Sequence, residues 1–192
     1  SPRMNQYPPL HVLSSDSRQA MEWIKHNVPE DSAFLVITGQ YGWWGDAENE
    51  WFPLLAGRQS LDTVQGYEWV PDDKFLEMID EYYYLQSCAW DDVSCLDDWA
   101  YDTGKNFSHV YISAGADTWS DSYCCWWLRS SLLNSPRYEI VYNNDSVTIF
   151  SLREEFRGQH YRYSSSYSYQ SDYGSLPYSS SGDGSSGFPS YP

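Results

Sequence analysis

Three acidic residues, Asp46, Glu48 and Glu50, alternate in the segment "WWGDAENEW". Positioned carboxylates serve general acid–base catalysis, so this segment is the first place to look for chemistry. On a helix, side chains at i and i+2 diverge, and only Asp46 and Glu50, at i and i+4, share a face. Aromatic residues crowd the same region: Trp43, Trp44 and Trp51 flank the acids, and Tyr67 and Trp69 follow. Trp43 and Trp44 read equally well as a stacking platform for a sugar or lipid head and as a cap on the core. Asp46, Glu50, Trp43, Trp44, Trp51, Tyr67 and Trp69 are therefore the candidate ligand contacts. No residue earns a catalytic assignment.

Other constellations are missing from the sequence. It holds no G-x-G-x-x-G, no G-x-x-x-x-G-K-[ST] and no G-x-S-x-G. The glycines of "TGQYGWWG" have the wrong spacing for a phosphate cradle, and no lysine accompanies them. The histidines, His11, His26, His109 and His160, do not have metal-site spacing. No metal and no cofactor are expected.

The cysteines are Cys88, Cys95, Cys124 and Cys125. Their spacing fits neither zinc nor thioredoxin-like sites. An even count without histidine partners points to two disulfides and an oxidising compartment. Adjacent cysteines rarely pair, so Cys88 and Cys95 are expected to pair with Cys124 and Cys125, in an order left open. Asn106-Phe-Ser and Asn144-Asp-Ser are candidate glycosylation sites in loop positions.

These residues need elements to position them. Ser15 or Asp16 caps a helix running to about Asn27, ended by Pro29. "AFLVIT" is a buried strand. Asp46 caps a short helix that stops at Gly57. "SLDTVQG" is a second strand. Helices follow over 71–85 and 91–101, then a strand "HVYIS", then a helix "SYCCWWLRSSLLN" stopped before Pro136. "YEIVYNNDSVTIFSL" is a hairpin around Asn143-Asn144-Asp145. Alternating helices and strands predict an α/β fold, with an open, mostly parallel sheet flanked by helices and an antiparallel hairpin at its end. Ligands bind such sheets beyond the carboxyl ends of the strands, where "TGQYGWWG" falls.

The chain has 192 residues and a net charge of −16. Its length predicts one α/β domain over 16–156, with an N-terminal extension over 1–15 and a Ser/Tyr/Gly/Pro-rich tail over 157–192. The charge excludes nucleic acid as a partner and opposes electrostatic docking on an anionic leaflet. No apolar run approaches the roughly 18 residues needed to cross a bilayer. Between Asp46 and Asp102 fifteen acids face only Arg58 and Lys74. The run reads as a solvated face; cation binding is the sharper reading, but no Asp-x-Asp-x-Asp-Gly loop supports it. The tail contains seven tyrosines and one aliphatic residue, Leu176. It cannot bury enough apolar surface to order itself alone, but its tyrosines suit adhesion to neighbours.

The segments "AMEWIKHNVPEDSAFLVITG", "WWGDAENEWFPLLAGRQSLDTVQGYEW", "HVYIS", "CCWWLRSSLL" and "YEIVYNNDSVTIF", with Cys88 and Cys95, carry a further signal. Residues 16–152 resemble the C-terminal soluble exoplasmic domain of multi-pass membrane glycosyltransferases related to dolichyl-phosphate-mannose–protein mannosyltransferases. The resemblance implies a domain outside the membrane, following the last transmembrane helix. It also implies that the catalytic acid lies in an early loop between membrane helices, which has no counterpart here. Ser1 at the start, in place of Met, is read as an upstream segment removed. The resemblance implies an accessory, acceptor- or glycan-recognising role without catalysis. Its implied partners are the membrane portion of the same or a neighbouring protein, and glycans; its implied location is extracytoplasmic, at the cell surface or secreted. The alternative is a secreted structural or assembly subunit that self-associates through residues 158–192.

Overall fold

Ala33–Ile37 (β1) is an unbroken apolar run because both of its faces are covered. The computed structural model of the chain describes residues 13–71, 73–113 and 124–159. Alternation along β1 divides the core in two. Phe34 and Val36 pack with Ala20, Met21, Ile24, Phe52 and Ala56. Leu35 and Ile37 pack with Leu85, Leu96, Trp99, Leu128 and Leu132 on the opposite face. The strand's period of two thus builds three layers from one segment.

The first layer holds α1 (Ser15–Asn27) and α2 (Ala47–Ala56). The N-cap of α1 is Ser14, whose hydroxyl accepts the Ser17 N–H at 3.0 Å. The cap thus lies one residue earlier than Ser15 or Asp16, and Asp16 occupies the first turn, where a negative charge meets the helix dipole. The last layer holds α3 (Lys74–Ser87), α4 (Val93–Thr103) and α5 (Trp126–Asn134).

The middle layer is a five-stranded sheet of order β2-β1-β3-β5-β4. Its other strands are β2 (Gln59–Ser60), β3 (His109–Ser113), β4 (Tyr138–Asn143) and β5 (Val147–Leu152). The strands β1, β2 and β3 are parallel; β5 is antiparallel to β3 and to β4. Only β5 therefore runs against the others, and the sheet is mostly parallel with an antiparallel hairpin, as expected. At the hairpin turn Asn144 Oδ1 accepts the N–H groups of Ser146 and Val147, at 3.1 and 2.7 Å.

Two expectations are corrected. The second strand does not extend over "SLDTVQG". After Ser60 the chain turns inward, and Asp62 Oδ1 takes the Val36 N–H at 3.1 Å in place of a further ladder bond. The cysteines also pair locally, as Cys88–Cys95 and Cys124–Cys125, and do not cross-link the two segments. A 3-10 turn at Cys88–Trp90 folds straight into α4, which brings the Cα atoms of Cys88 and Cys95 to 5.5 Å. Cys125 takes a left-handed backbone, φ 70, at the start of α5. All four cysteines still pack on one core cluster. Adjacency of the two segments follows from that packing, and the bonds do not create it.

Apart from residues 13–15 and 157–159, the N-terminal extension and the Ser/Tyr-rich tail lie outside the described residues. Among the described residues no helix is long and apolar enough to cross a membrane.

Candidate functional site

The chain leaves the carboxyl end of β1 at Thr38 and reaches α2 through a 3-10 turn, Trp43–Gly45. Gly42 permits the turn to close. A Cβ there would come within 2.7 Å of the Trp44 ring, so the indole lies flat against the backbone only because glycine is present. Trp43 meets Trp44 edge-on at 6.2 Å and Phe75 edge-on at 5.6 Å. Gln65 Nε2 donates to the Trp43 carbonyl at 2.7 Å and ties this turn to the segment leading into Tyr67–Trp69.

Of the predicted aromatic contacts, Trp43, Trp44, Tyr67 and Trp69 therefore lie on two linked turns, and Trp51 lies on α2. Trp44 and Trp69 are 70 % and 89 % exposed, and Tyr41, which the sequence reading did not single out, is 93 % exposed. Trp51 is partly exposed on α2, while Trp43 and Tyr67 are half-buried beneath the others. Trp43 packs against Trp44 and Phe75, whereas Trp44 is presented to solvent.

The acids do not join that surface as a pair. Asp46 is 2 % exposed. Its Oδ1 caps α2 through the Asn49 N–H at 3.1 Å, and its Oδ2 accepts from Thr38 Oγ1 at 2.7 Å and Tyr82 OH at 2.9 Å. Glu50 is exposed, one turn further along α2. Asp46 and Glu50 thus do not present their carboxylates together: the cap geometry turns Asp46 inward, while Glu50 stays exposed.

Beneath the turns lies a buried polar cluster that the sequence reading missed. Asp62, fully buried, accepts from Asn49 Nδ2, Gln86 Nε2 and Ser60 Oγ besides Val36. Gln86 Oε1 takes the N–H groups of Thr38 and Gly39, each at 3.0 Å, and its Nε2 donates to the Val36 carbonyl. The group locks the end of β1 to α2 and α3. Burial raises the Asp62 carboxyl to about 7, although the Val36 and Asn49 donors oppose the shift. Burial also raises Asp46 against the pull of its Thr38, Asn49 and Tyr82 donors. The Tyr82 hydroxyl is raised by burial and by the Asp46 charge. A general acid or base must reach its substrate, and these carboxylates reach only protein donors. Their chemistry is positional. A polar residue inside an apolar run, such as Asp62 in "SLDTV", is the only sequence signal that points to the cluster.

Glu48 forms a second hub on the α1 side. It accepts hydroxyls from Ser17 at 2.8 Å, Tyr111 at 2.8 Å and Ser113 at 2.6 Å, joining α1, α2 and β3. Of the candidate glycosylation sites, Asn106 is exposed in the loop before β3. Asn144 is committed to the fold, with its Nδ2 donating to the Asp16 carbonyl at 3.0 Å and the Tyr142 hydroxyl at 3.2 Å. Among the described residues, no group of His, Cys, Asp and Glu side chains is arranged to hold a metal ion.

No protein-family model and no curated protein matches the sequence. Among solved structures, the chain is similar to the C-terminal globular domain of an oligosaccharyltransferase from Archaeoglobus fulgidus. That likeness has a TM-score of 0.37 and 11 % identity, and it covers 74 % of this chain and 99 % of that domain.

Proposed function

We propose that this chain is an exoplasmic accessory domain of a membrane glycosyltransferase-like protein that recognises a glycan or acceptor and does not itself catalyse transfer. The observation that carries the reading is the presentation of Tyr41, Trp44 and Trp69 to solvent on linked turns at the carboxyl end of β1. Exposed aromatic clusters mark binding surfaces, and open α/β sheets bind ligands at this end. An indole face suits the C–H faces of a sugar ring, which are apolar and weakly positive at hydrogen. The non-catalytic half of the reading rests on Asp46 and Asp62, whose carboxylates are enclosed by protein donors. Two disulfides fit an oxidising compartment, and so an extracytoplasmic location. The resemblance of residues 16–152 to the exoplasmic glycosyltransferase domains supplies the class and makes the membrane portion of the same or a neighbouring protein the expected partner.

The test is binding of the full chain to immobilised oligosaccharides and acceptor peptides, compared with Trp44→Ala and Trp69→Ala. Weakened retention in both variants, with unchanged thermal unfolding, supports the reading. Retention that ignores both substitutions, or no retention at all, overturns it.

A further inference from the structure

A second aromatic cleft lies on the α3–α5 side of the sheet, lined by none of the residues of the turns at Trp43–Gly45 and Tyr67–Trp69. Its volume is about 320 Å³, and Trp90, Asp91 and Asp92 form one wall. Trp127, Ser130, Ser131 and Asn134 form the other. Their spacing, i, i+3, i+4 and i+7, draws one stripe along α5. The opposite side of the helix is buried through Leu128 and Leu132. So α5 spends its outward stripe on an indole, two hydroxyls and an amide.

The walls are fixed from below. The Cys88–Cys95 disulfide closes the loop that carries Trp90, Asp91 and Asp92. The Cys124–Cys125 disulfide stands directly before Trp126 and Trp127. Ser131 Oγ accepts the Val93 N–H at 3.0 Å and joins the walls. Trp126 holds the Trp127 ring edge-on, with centroids 4.8 Å apart. The Trp90 wall thus lies within a disulfide-closed loop and is joined to α5 by the Val93–Ser131 bond, a rigidity that lowers the ordering cost of binding.

The lining offers matched polar groups. Asp91 Oδ1 accepts the Asp92 N–H and Asp92 Oδ1 caps α4, so the second oxygen of each carboxylate points to no bond among the described residues. The Ser130 hydroxyl likewise makes no bond among them, and Ser131 keeps its hydroxyl proton to donate. Trp90 and Trp127 are 52 % and 64 % exposed. Two indoles, carboxylate acceptors and hydroxyl donors are the complement of a sugar ring, which has apolar C–H faces and an equatorial rim of hydroxyls. A cation would need only the indoles and carboxylates and would leave the serine donors idle. An anionic sugar is opposed by Asp91 and Asp92. The volume falls in the roughly 300–1,000 Å³ range of small-molecule sites.

We propose that the cleft between Trp90 and Trp127 is a binding site for a short uncharged saccharide, separate from the surface at Trp44 and Trp69. The experiment applies the full chain to an array of neutral, sialylated, sulfated and phosphorylated oligosaccharides, with choline and an arginine-rich peptide as cationic probes. Neutral glycans should be retained and anionic ones rejected. Trp90→Ala and Trp127→Ala should each weaken retention about tenfold, as expected for loss of one stacking ring. Trp127→Phe should restore part of it, and near-ultraviolet circular dichroism should show an unchanged fold. Trp44→Ala and Trp69→Ala should leave this component intact, which separates its fate from that of the first surface. No neutral glycan retained, retention indifferent to Trp90 and Trp127, or Trp90-dependent capture of the cationic probes alone would each overturn the proposal.

Discussion

Gly39 and Cys124 touch so closely that a Cβ on Gly39 would lie 2.4 Å from the Cys124 sulfur. Gly39 also has φ +67, and its N–H is held by Gln86. The second residue beyond β1 is thus pressed against the disulfide that precedes α5. Gly57 has a similar φ, +60, with nothing near its missing Cβ. The pair separates backbone conformation from contact. Gly57→Ala should cost about 1–2 kcal/mol, the left-handed penalty alone. Gly39→Ala should cost about 1–3 kcal/mol more, because an overpacked neighbour must move. Urea unfolding of both variants measures the difference; equal costs would mean that the Cys124 contact yields freely.

Asp62 and His109 should give stability two opposed pH dependences. Burial raises Asp62 from 3.8 to about 7, so the folded state binds more protons than the unfolded state between those values. Stability from this group therefore falls as pH rises from about 4 to 7, by at most about 1.4 kcal/mol per unit, and is level above. Asp46 acts in the same direction. His109 is lowered from 6.5 to about 4, by burial and then by the Arg157 charge. Here the unfolded state binds the extra proton, so stability from His109 rises between about pH 4 and 6.5. Subtracting the pH profile of Asp62→Asn from that of the parent isolates the first effect. The difference curve should decline to about pH 7 and then flatten. A level curve throughout would show that Asp62 titrates normally.

The same residues show what a sequence conceals. The capping Asp46, the stop at Gly57 and the apolar strand His109–Ser113 were legible because each depends on its own neighbours in the chain. Asp62 was read into a strand, because nothing local says that Val36 and Gln86 will meet it. The rarity of adjacent bonds favours cross-pairing of the cysteines, but the short turn joining Cys88 to α4 brings Cys95 within reach instead. For the site, the sequence located the aromatic turns but not the exposure that separates Trp44 from Trp43. The Trp127-Ser130-Ser131-Asn134 stripe was visible in principle as helical spacing. Its meaning depends on Trp90, which lines the same cleft from a distant part of the chain.

Arg137 and Asp97 form a two-pronged ion pair with distances of 2.9 and 2.5 Å, and both side chains are largely buried. The bond fastens the start of β4 to α4. Removing the cation strands a carboxylate away from water, so Arg137→Ala should cost about 3–5 kcal/mol. Replacing both partners with apolar residues of similar size, as in Arg137→Met with Asp97→Leu, should recover most of that loss. Thermal unfolding of the single and double variants decides the matter. A double variant as unstable as Arg137→Ala would show that packing, not the uncompensated charge, sets the cost.

Glu48 should matter for stability more than its place beside Asp46 suggests. Its three hydroxyl donors come from α1 and β3, and Tyr111 among them is completely buried. Burial first, and the Glu48 charge next, raise the Tyr111 hydroxyl well above its ordinary value, so it stays a donor at all working pH. Glu48→Ala leaves that hydroxyl without its acceptor in the core and should cost about 1–3 kcal/mol. Glu48→Gln keeps one carbonyl oxygen for Ser17 and Ser113, and its amide lets the tyrosine hydroxyl turn and accept. Its cost should stay below about 1 kcal/mol. Tyr111→Phe in the Glu48→Ala background removes the stranded hydroxyl and should restore part of the loss, which an interaction of mere proximity would not do. Urea midpoints of the four proteins test this ordering. Equal losses in Glu48→Ala and Glu48→Gln would place the effect in the negative charge rather than in the hydrogen bonds.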